Sequence, residues 1–207
     1  MNSIYGEFYP YLEQVMNRLR REMEEYDRKV FAETGEHIYE HFITRIKSED
    51  SMREKCVRKG LPETPHSALR ELRDSIGIRI VTAFRDDIYN IIDEIRRMKN
   101  VEIVEEKDYI RHAKANGYRS YHMILLVTTS YPDVDGNANG RYYVEIQLRT
   151  IAMDSWASLE HKMKYKKNVE DTELIVSELK RCADELAACD VSMQTIRKLI
   201  MGHESLR

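Results

Sequence analysis

At 207 residues the chain is long enough for one domain with a full core and too short for two comfortable ones. Apolar residues make up 42% and charged residues 33%, a globular composition with no apolar run approaching the length of a membrane helix. Net charge is −3 from 33 basic and 36 acidic residues, so no global basic excess points to nucleic acid and any anion site must be local. The opening MNSIYGEFYPYLEQ lacks the cationic start and apolar stretch of a secretory signal. Cys56, Cys182 and Cys189 are odd in number and show no CxxC spacing, which fits a cytoplasmic protein.

In chain order, Phe8, Leu12, Val15, Leu19, Met23, Tyr26 and Val30 recur at helical spacing and predict one amphipathic helix; its opposite face of Arg18, Arg21, Glu22, Glu25 and Arg28 reads as solvated. A second helix is expected through HIYEHFITRIK (37–47). A third is expected through SMREKCVRKG (51–60), stopped by Gly60 and Pro62 ahead of a loop over 60–66. The period then changes to two at Ile76, Ile78 and Ile80, a strand. Asp86 and Asp87 are candidate caps for a helix whose Ile88, Ile91, Ile92 and Ile95 share one face. VEIVEE (101–106), YHMILLVTT (121–129) and RYYVEIQLR (141–149) read as further strands, the last two joined by the turn-rich PDVDGNANG. The predicted class is α+β, close to α/β: a mixed sheet of about five strands flanked by helices.

The last strand places Tyr142, Val144, Ile146 and Leu148 on one face and Tyr143, Glu145, Gln147 and Arg149 on the other. A core face beside a row of functional groups gives this pattern, and so does a plain half-exposed strand. Towards the end of the chain, Ile175, Leu179, Cys182, Leu186, Cys189, Met193, Ile196 and Ile200 alternate steps of four and three, a heptad seam that needs a partner helix. That partner is either the N-terminal helix or a second subunit.

Familiar signatures are missing: the chain has no GxxxxGK[ST], GxGxxG or GxSxG. His37 and His41, four apart on the expected second helix, have no third ligand nearby and read as incidental. A distributed set remains. Arg45, Lys47 and Lys55 can converge on a polyphosphate if they follow a helical path. Asp74 sits just before a strand, Arg79 lies within it, and Glu145 projects from the polar face of another. In YIRHAKANGYRSYH (109–122) the Asn-Gly pair lets the backbone turn tightly, so that Tyr118 can offer a ring face to a base while Lys114 and His122 reach phosphates or a ribose. Two strand carboxylates are a means of presenting hard oxygen ligands to Mg²⁺, around which phosphate-binding cations make sense.

TRIKSEDSMREK, RDSIGIRIV, KDYIRHAKANGYRSYH, VEIQLRT and AMDSWASLEHKMKYK occur in the order in which similar motifs occur in the synthetase domain of the RelA/SpoT family. The chain resembles the small, single-domain alarmone synthetases of that family. The resemblance implies one synthetase domain over 1–207, with an N-terminal helix in 1–40, a catalytic core over 43–167 and the heptad helix over 171–203. The sequence contains no His-Asp dipeptide, so the resemblance implies no hydrolase domain. It further implies that Arg45 and Arg79 embrace the adenine of ATP, that Lys47, Ser51 and Lys55 serve its phosphates, and that Asp74 and Glu145 hold Mg²⁺, with Glu145 activating the acceptor hydroxyl. Lys107, Tyr109, Lys114, Asn116, Tyr118 and His122 match the acceptor side, with Tyr118 stacking on guanine, and Gln147, Arg149 and Glu160 are supporting residues. One departure stands out: family members commonly carry Pro where this chain has Ala113.

The implied reaction moves the β,γ-pyrophosphate of ATP to the 3′-hydroxyl of GDP or GTP and releases AMP. The implied partners are these nucleotides and further copies of the chain, as a dimer or tetramer through the terminal helices. An alternative using the same site is a toxin that pyrophosphorylates the 3′ end of tRNA, with an antitoxin partner and Arg20, Arg21, Arg28 and Lys29 as an RNA patch; interleaved acids weaken it. A third reading is a non-catalytic nucleotide sensor, which has little reason to keep Glu145.

Overall fold

In a computed structural model of the protein, the structure describes residues 3–164 and 172–204. Helix α1 (Tyr9–Thr34) starts on Pro10, buries Leu12, Val15, Leu19 and Met23, and ends at Gly35, whose φ of 75° closes the last turn. There the chain departs from expectation. Residues 41–46 form a strand, β1 (His41–Ile46), not a second helix. Aromatic and β-branched residues fill this segment, and its alternating half-burial of Phe42, Thr44 and Ile46 suits an edge strand better than a helix. His37 and His41 therefore share no helix face; His37 Nδ1 lies 2.8 Å from Asp27 Oδ2.

Helix α2 (Glu49–Lys59) is capped by the Ser48 hydroxyl, which accepts from the Ser51 N–H, and is stopped by Gly60 at φ 68°. A π-helical turn at Ser67–Glu71 leads into β2 (Ile76–Thr82). Helix α3 (Arg85–Arg97) buries all four expected isoleucines, each contributing about 1.5–3 kcal/mol. Asp86 and Asp87 do not cap it. Phe84 occupies the cap position and the two acids fall in the first turn, where the helix dipole favours them. Strands β3 (Val101–Asp108), β4 (Tyr121–Thr128) and β5 (Arg141–Thr150) follow, and helix α4 (Ile151–Lys164) begins directly after β5.

The five strands form one mixed sheet in the order β1-β2-β5-β4-β3, with β2 and β5 parallel and the other pairs antiparallel, as the α+β reading expects. Helices α1 and α3 join the inward rows of β2, β4 and β5 in one core that includes Ile76, Met123 and Val144. The opposite row of β5, Tyr143, Glu145, Gln147 and Arg149, stays outside that core.

Helix α5 (Thr172–Glu204) runs back along the molecule, but the heptad seam is not its line of contact. Ile175 and Leu179 face inward; Cys182, Cys189, Met193, Ile196 and Ile200 are exposed. The helix meets the body instead through Leu179, Ala183, Asp190, Gln194 and Arg197. A straight helix advances 3.6 residues per turn and drifts off a 3.5-residue seam by about 20° per heptad, so the contacts leave the seam along the helix. Its main packing is against α4 and α3, not α1. Arg197 anchors its far end, donating to both oxygens of buried Asp87 at 2.8 Å and to Glu36 at 2.7 Å. Burial nonetheless holds the Asp87 carboxyl above its ordinary range.

Candidate active site

Of the three cations expected to act together, Lys47 and Lys55 meet at one carboxylate, whereas Arg45 lines the clefts beside Arg79. Arg45 lies on β1, Lys47 at the strand's exit and Lys55 one turn and more into α2. Lys47 Nζ and Lys55 Nζ donate to the same oxygen of Asp74, Oδ2, at 2.6 and 2.5 Å. Burial pushes the Asp74 carboxyl up, but the two ammonium groups outweigh it and hold it below the usual carboxylate range. Its other oxygen, Oδ1, is buried without a hydrogen-bond partner. Ser51 is exposed at the N-terminus of α2, where free N–H groups favour an anion.

Asp74 precedes β2 by two residues, and across the parallel pair Gly77 faces Glu145. A cavity of 140 Å³ opens there between Ile43, Arg45, Gly77, Arg79, Glu145 and Gln147. Gly77 lies beneath the Arg45 side chain, where a Cβ would make only ordinary contact at 3.7 Å. Arg45 and Arg79 also border a second cleft of 450 Å³, whose far wall is Tyr118, Arg149 and Glu160. Burial and neighbouring Arg149 lower the pKa of Arg79, and its Nε is buried without a partner.

The polar row of β5 is wired end to end. Arg149 donates to Gln147 Oε1 at 3.0 Å, and Gln147 Nε2 donates to Glu145 Oε2 at 3.3 Å. Arg149 also donates to Asp154 Oδ1 at 2.9 Å and to the Tyr118 hydroxyl at 2.9 Å. The Tyr118 hydroxyl lies 2.8 Å from His122 Nε2. Burial, then Arg149, Lys114 and Lys107, push the His122 pKa down to about 4, so the ring is neutral at physiological pH.

Around Tyr118 the expected acceptor residues cluster. Lys114 Nζ sits 4.8 Å from the Tyr118 ring and 4.6 Å from the Tyr109 ring, and Tyr109 stands edge-on to both Tyr118 and His122. Asn116 shapes the turn: its Oδ1 accepts from Tyr118 N–H, and its Nδ2 donates to Glu160 at 3.2 Å. Lys107, exposed on β3 and paired with Glu105, stands directly opposite His122 in the β3–β4 ladder.

Sequence reasoning missed Asp154, which ties Arg149 to Arg79 at 2.9 and 3.5 Å, and His161 and Lys162 on the second cleft. All three belong to AMDSWASLEHKMKYK, so the motif was visible while the direction of its side chains was not; its Tyr165 and Lys166 lie outside the described residues, as does the end of the expected core at 165–167.

Arg45 and Arg79 line both clefts, Glu145 lines the first, and the Lys47–Lys55–Asp74 cluster lies just ahead of β2, a polar and strongly cationic site on one face of a mixed sheet. The chain belongs to the RelA/SpoT family: residues 44–170 match the region found in RelA and SpoT proteins. It is 39% identical to the GTP pyrophosphokinase YwaC of Bacillus subtilis, over 79% of this chain and 76% of that one. To the GTP pyrophosphokinase YjbM of the same organism it is 33% identical, over 82% and 78%. The crystal structure of small alarmone synthetase 1 from Bacillus subtilis bound to its product pppGpp superposes with a TM-score of 0.78 at 30% identity, covering 93% of this chain and 95% of that one.

Proposed function

We propose that the chain is a GTP pyrophosphokinase, one synthetase unit over 1–207, that transfers the β,γ-pyrophosphate of ATP to the 3′-hydroxyl of GDP or GTP. The observation that carries this reading is Asp74: two lysines on one oxygen, the other oxygen buried and unpartnered, beside the strand that bears Glu145. In the reaction the 3′-oxygen attacks the β-phosphorus, the bond from that phosphorus to the α,β-bridging oxygen breaks, and AMP leaves with the bridging oxygen. Glu145 takes the hydroxyl proton. Arg45 and Arg79 hold adenine, and Lys47, Lys55 and the α2 N-terminus take the triphosphate, so that alignment and charge neutralisation supply most of the acceleration.

Mg²⁺ fits this donor set. Among the described residues no three His, Cys, Asp or Glu side chains form a cage, and Mg²⁺ suits sites with one or two carboxylates completed by substrate phosphates. Asp74 Oδ1 and Glu145 would hold it, and once bound it supplies neutralisation of phosphate charge. On the acceptor side, Tyr118 stacks on guanine within a shell of Tyr109, Lys114, Asn116 and His122; Lys107 contributes at the rim, and Gln147, Arg149 and Glu160 support.

The exposed seam on α5, with Met193, Ile196 and Ile200 each about half exposed, is assigned to a second copy of the chain, since apolar heptad positions pack best against another helix. A solution mass equal to the monomer would remove that assignment. No helix among the described residues is long and apolar enough to cross a membrane, and the cytoplasm is the compartment proposed. Of the patch named for the tRNA alternative, Arg20 donates to Thr44 and Lys29 pairs with Glu25, while Arg21 and Arg28 are exposed. Purified protein with Mg²⁺ and γ-labelled ATP, given GDP, GTP or deacylated tRNA separately, tests the proposal. Label is expected on the guanine nucleotides; label on tRNA alone would replace this reading with the alternative.

A further inference from the structure

The turn that carries Tyr118 rests on helix α5. Gly117 has a φ of 89°, and a Cβ added there would lie 2.5 Å from Ala183 Cβ and 3.2 Å from Lys180 Cα, so the turn touches the helix backbone with no side chain between them. The space left at this seam is about 10 Å³, the least a single water needs. Next to it, Arg119 joins the two elements: its guanidinium donates to the Gly117 carbonyl at 3.2 Å and to Asp184 Oδ1 on α5 at 3.2 Å. Lys180 holds the other Asp184 oxygen at 2.7 Å, which fixes the carboxylate on the helix. Below, Trp156 of α4 donates to the Leu179 carbonyl at 2.8 Å and packs with Leu179, Ala183 and the Tyr118 ring in an apolar cluster separate from the main core. The far half of α5 is tied down independently, by the buried Asp190–Thr150 bond of 2.6 Å and by Arg197.

We propose that α5 is part of the acceptor machinery, with Ala183 and Asp184 as positioning residues. Ala183 sets how deeply the Asn116-Gly117 turn sits, and Asp184, through Arg119, fixes the Gly117 carbonyl one residue before the stacking ring. Neither residue touches the nucleotide. The seam accepts only a residue without a side chain on the turn and a small one on the helix. A displacement of the near end of α5, at Leu179–Asp184, therefore moves Tyr118, while Arg45, Lys47 and Lys55 are carried on or beside β1 and α2. This inference rests on the assignment of Tyr118 to the acceptor pocket.

The test is steady-state kinetics of the full-length protein with each nucleotide varied in turn, on Asp184→Ala, Asp184→Glu, Ala183→Leu and, as a marker of the pocket, Tyr118→Ala. Asp184→Ala is expected to raise the acceptor KM roughly 2- to 5-fold, the effect of losing one partly exposed pair, with the KM for ATP unchanged; Asp184→Glu should recover much of the loss. Ala183→Leu should raise the acceptor KM about tenfold, because the larger side chain pushes the turn off the helix. Asp184 is exposed, so its variants keep the folded protein available for measurement even where Ala183→Leu does not. If Tyr118→Ala raises the acceptor KM and the Asp184 variants move neither KM, or move both alike, α5 is only a structural support and the inference falls. If Tyr118→Ala leaves the acceptor KM unchanged, the pocket assignment fails, and the inference with it.

Discussion

The two halves of the site are built on opposite principles. On the half proposed for ATP, Lys47 and Lys55 share a single carboxylate oxygen, and Asp74 Oδ1 and Arg79 Nε are buried without partners. On the half proposed for the acceptor most groups satisfy one another, Arg149 Nε excepted: Lys114 lies over Tyr109 and Tyr118, the Tyr118 hydroxyl lies between Arg149 and His122, and Asn116 donates to Glu160. Unmet polar groups are costly to bury, so the ATP half is preorganised for incoming charge. On the proposal that a base stacks on Tyr118, the Lys114 ammonium over that ring would have to move aside, and part of the binding energy would go into that rearrangement.

The strongest way to break the comparison is at the joint between the halves. Glu145→Gln keeps the size of the side chain and removes the proton acceptor, and turnover should fall on the order of 10²-fold or more. Near-normal kcat in this variant would remove Glu145 from the role of base. Tyr118→Ala should act on one half alone. Losing a stacked base costs ~1 to 3 kcal/mol, so the KM for GDP or GTP should rise by roughly 5- to 150-fold while the KM for ATP holds. Parallel increases in both would mean that the halves are not separate.

The same contrast explains what could be read from the sequence. Strands β2, β3, β4 and β5 and helices α1, α2 and α3 were legible because their apolar residues keep one period over their length, as Ile76, Ile78 and Ile80 do against Ile88, Ile91, Ile92 and Ile95. HFITRI was not, because Ile38, Phe42 and Ile46 also recur every four residues; only pairing with β2 decides for a strand. The heptad seam was legible as a pattern but not as a contact, since packing onto a single body follows the straight helix from Leu179 to Ala183 and on to Asp190. Of the site, the charged residues were nameable from their motifs. Their pairing was not: nothing local to Asp74 announces Lys47 and Lys55, and nothing local to Arg149 announces Tyr118, which stands 31 residues away in the chain.

The closed state of the acceptor half leaves a signature in stability against pH. His122 titrates near pH 4 in the folded protein and near its ordinary value of about 6.5 when unfolded. Between those values the unfolded chain binds a proton that the folded chain refuses, so the contribution of His122 to stability is full above about pH 6.5 and is lost progressively as the pH falls towards 4. His122→Gln should flatten that part of the curve in denaturant titrations taken across the range. A wild-type curve already flat there would show that the ring is solvated and that the acceptor half stands open.

The smallest expected effect discriminates most finely between ring and hydroxyl. The Tyr118 hydroxyl accepts from Arg149 and is hydrogen-bonded to His122 Nε2, so Tyr118→Phe breaks two hydrogen bonds and leaves the partly buried imidazole nitrogen without its partner. That removal costs about 1 to 3 kcal/mol, and the loss falls on folding stability, because both partners belong to the protein and not to the nucleotide. The ring remains for stacking, so the acceptor KM should change by less than about fivefold even as the melting temperature drops. Comparable kinetic losses in Tyr118→Phe and Tyr118→Ala would move the role from the ring face to the hydroxyl, and the chain from Arg149 through Tyr118 to His122 would then act on the acceptor itself.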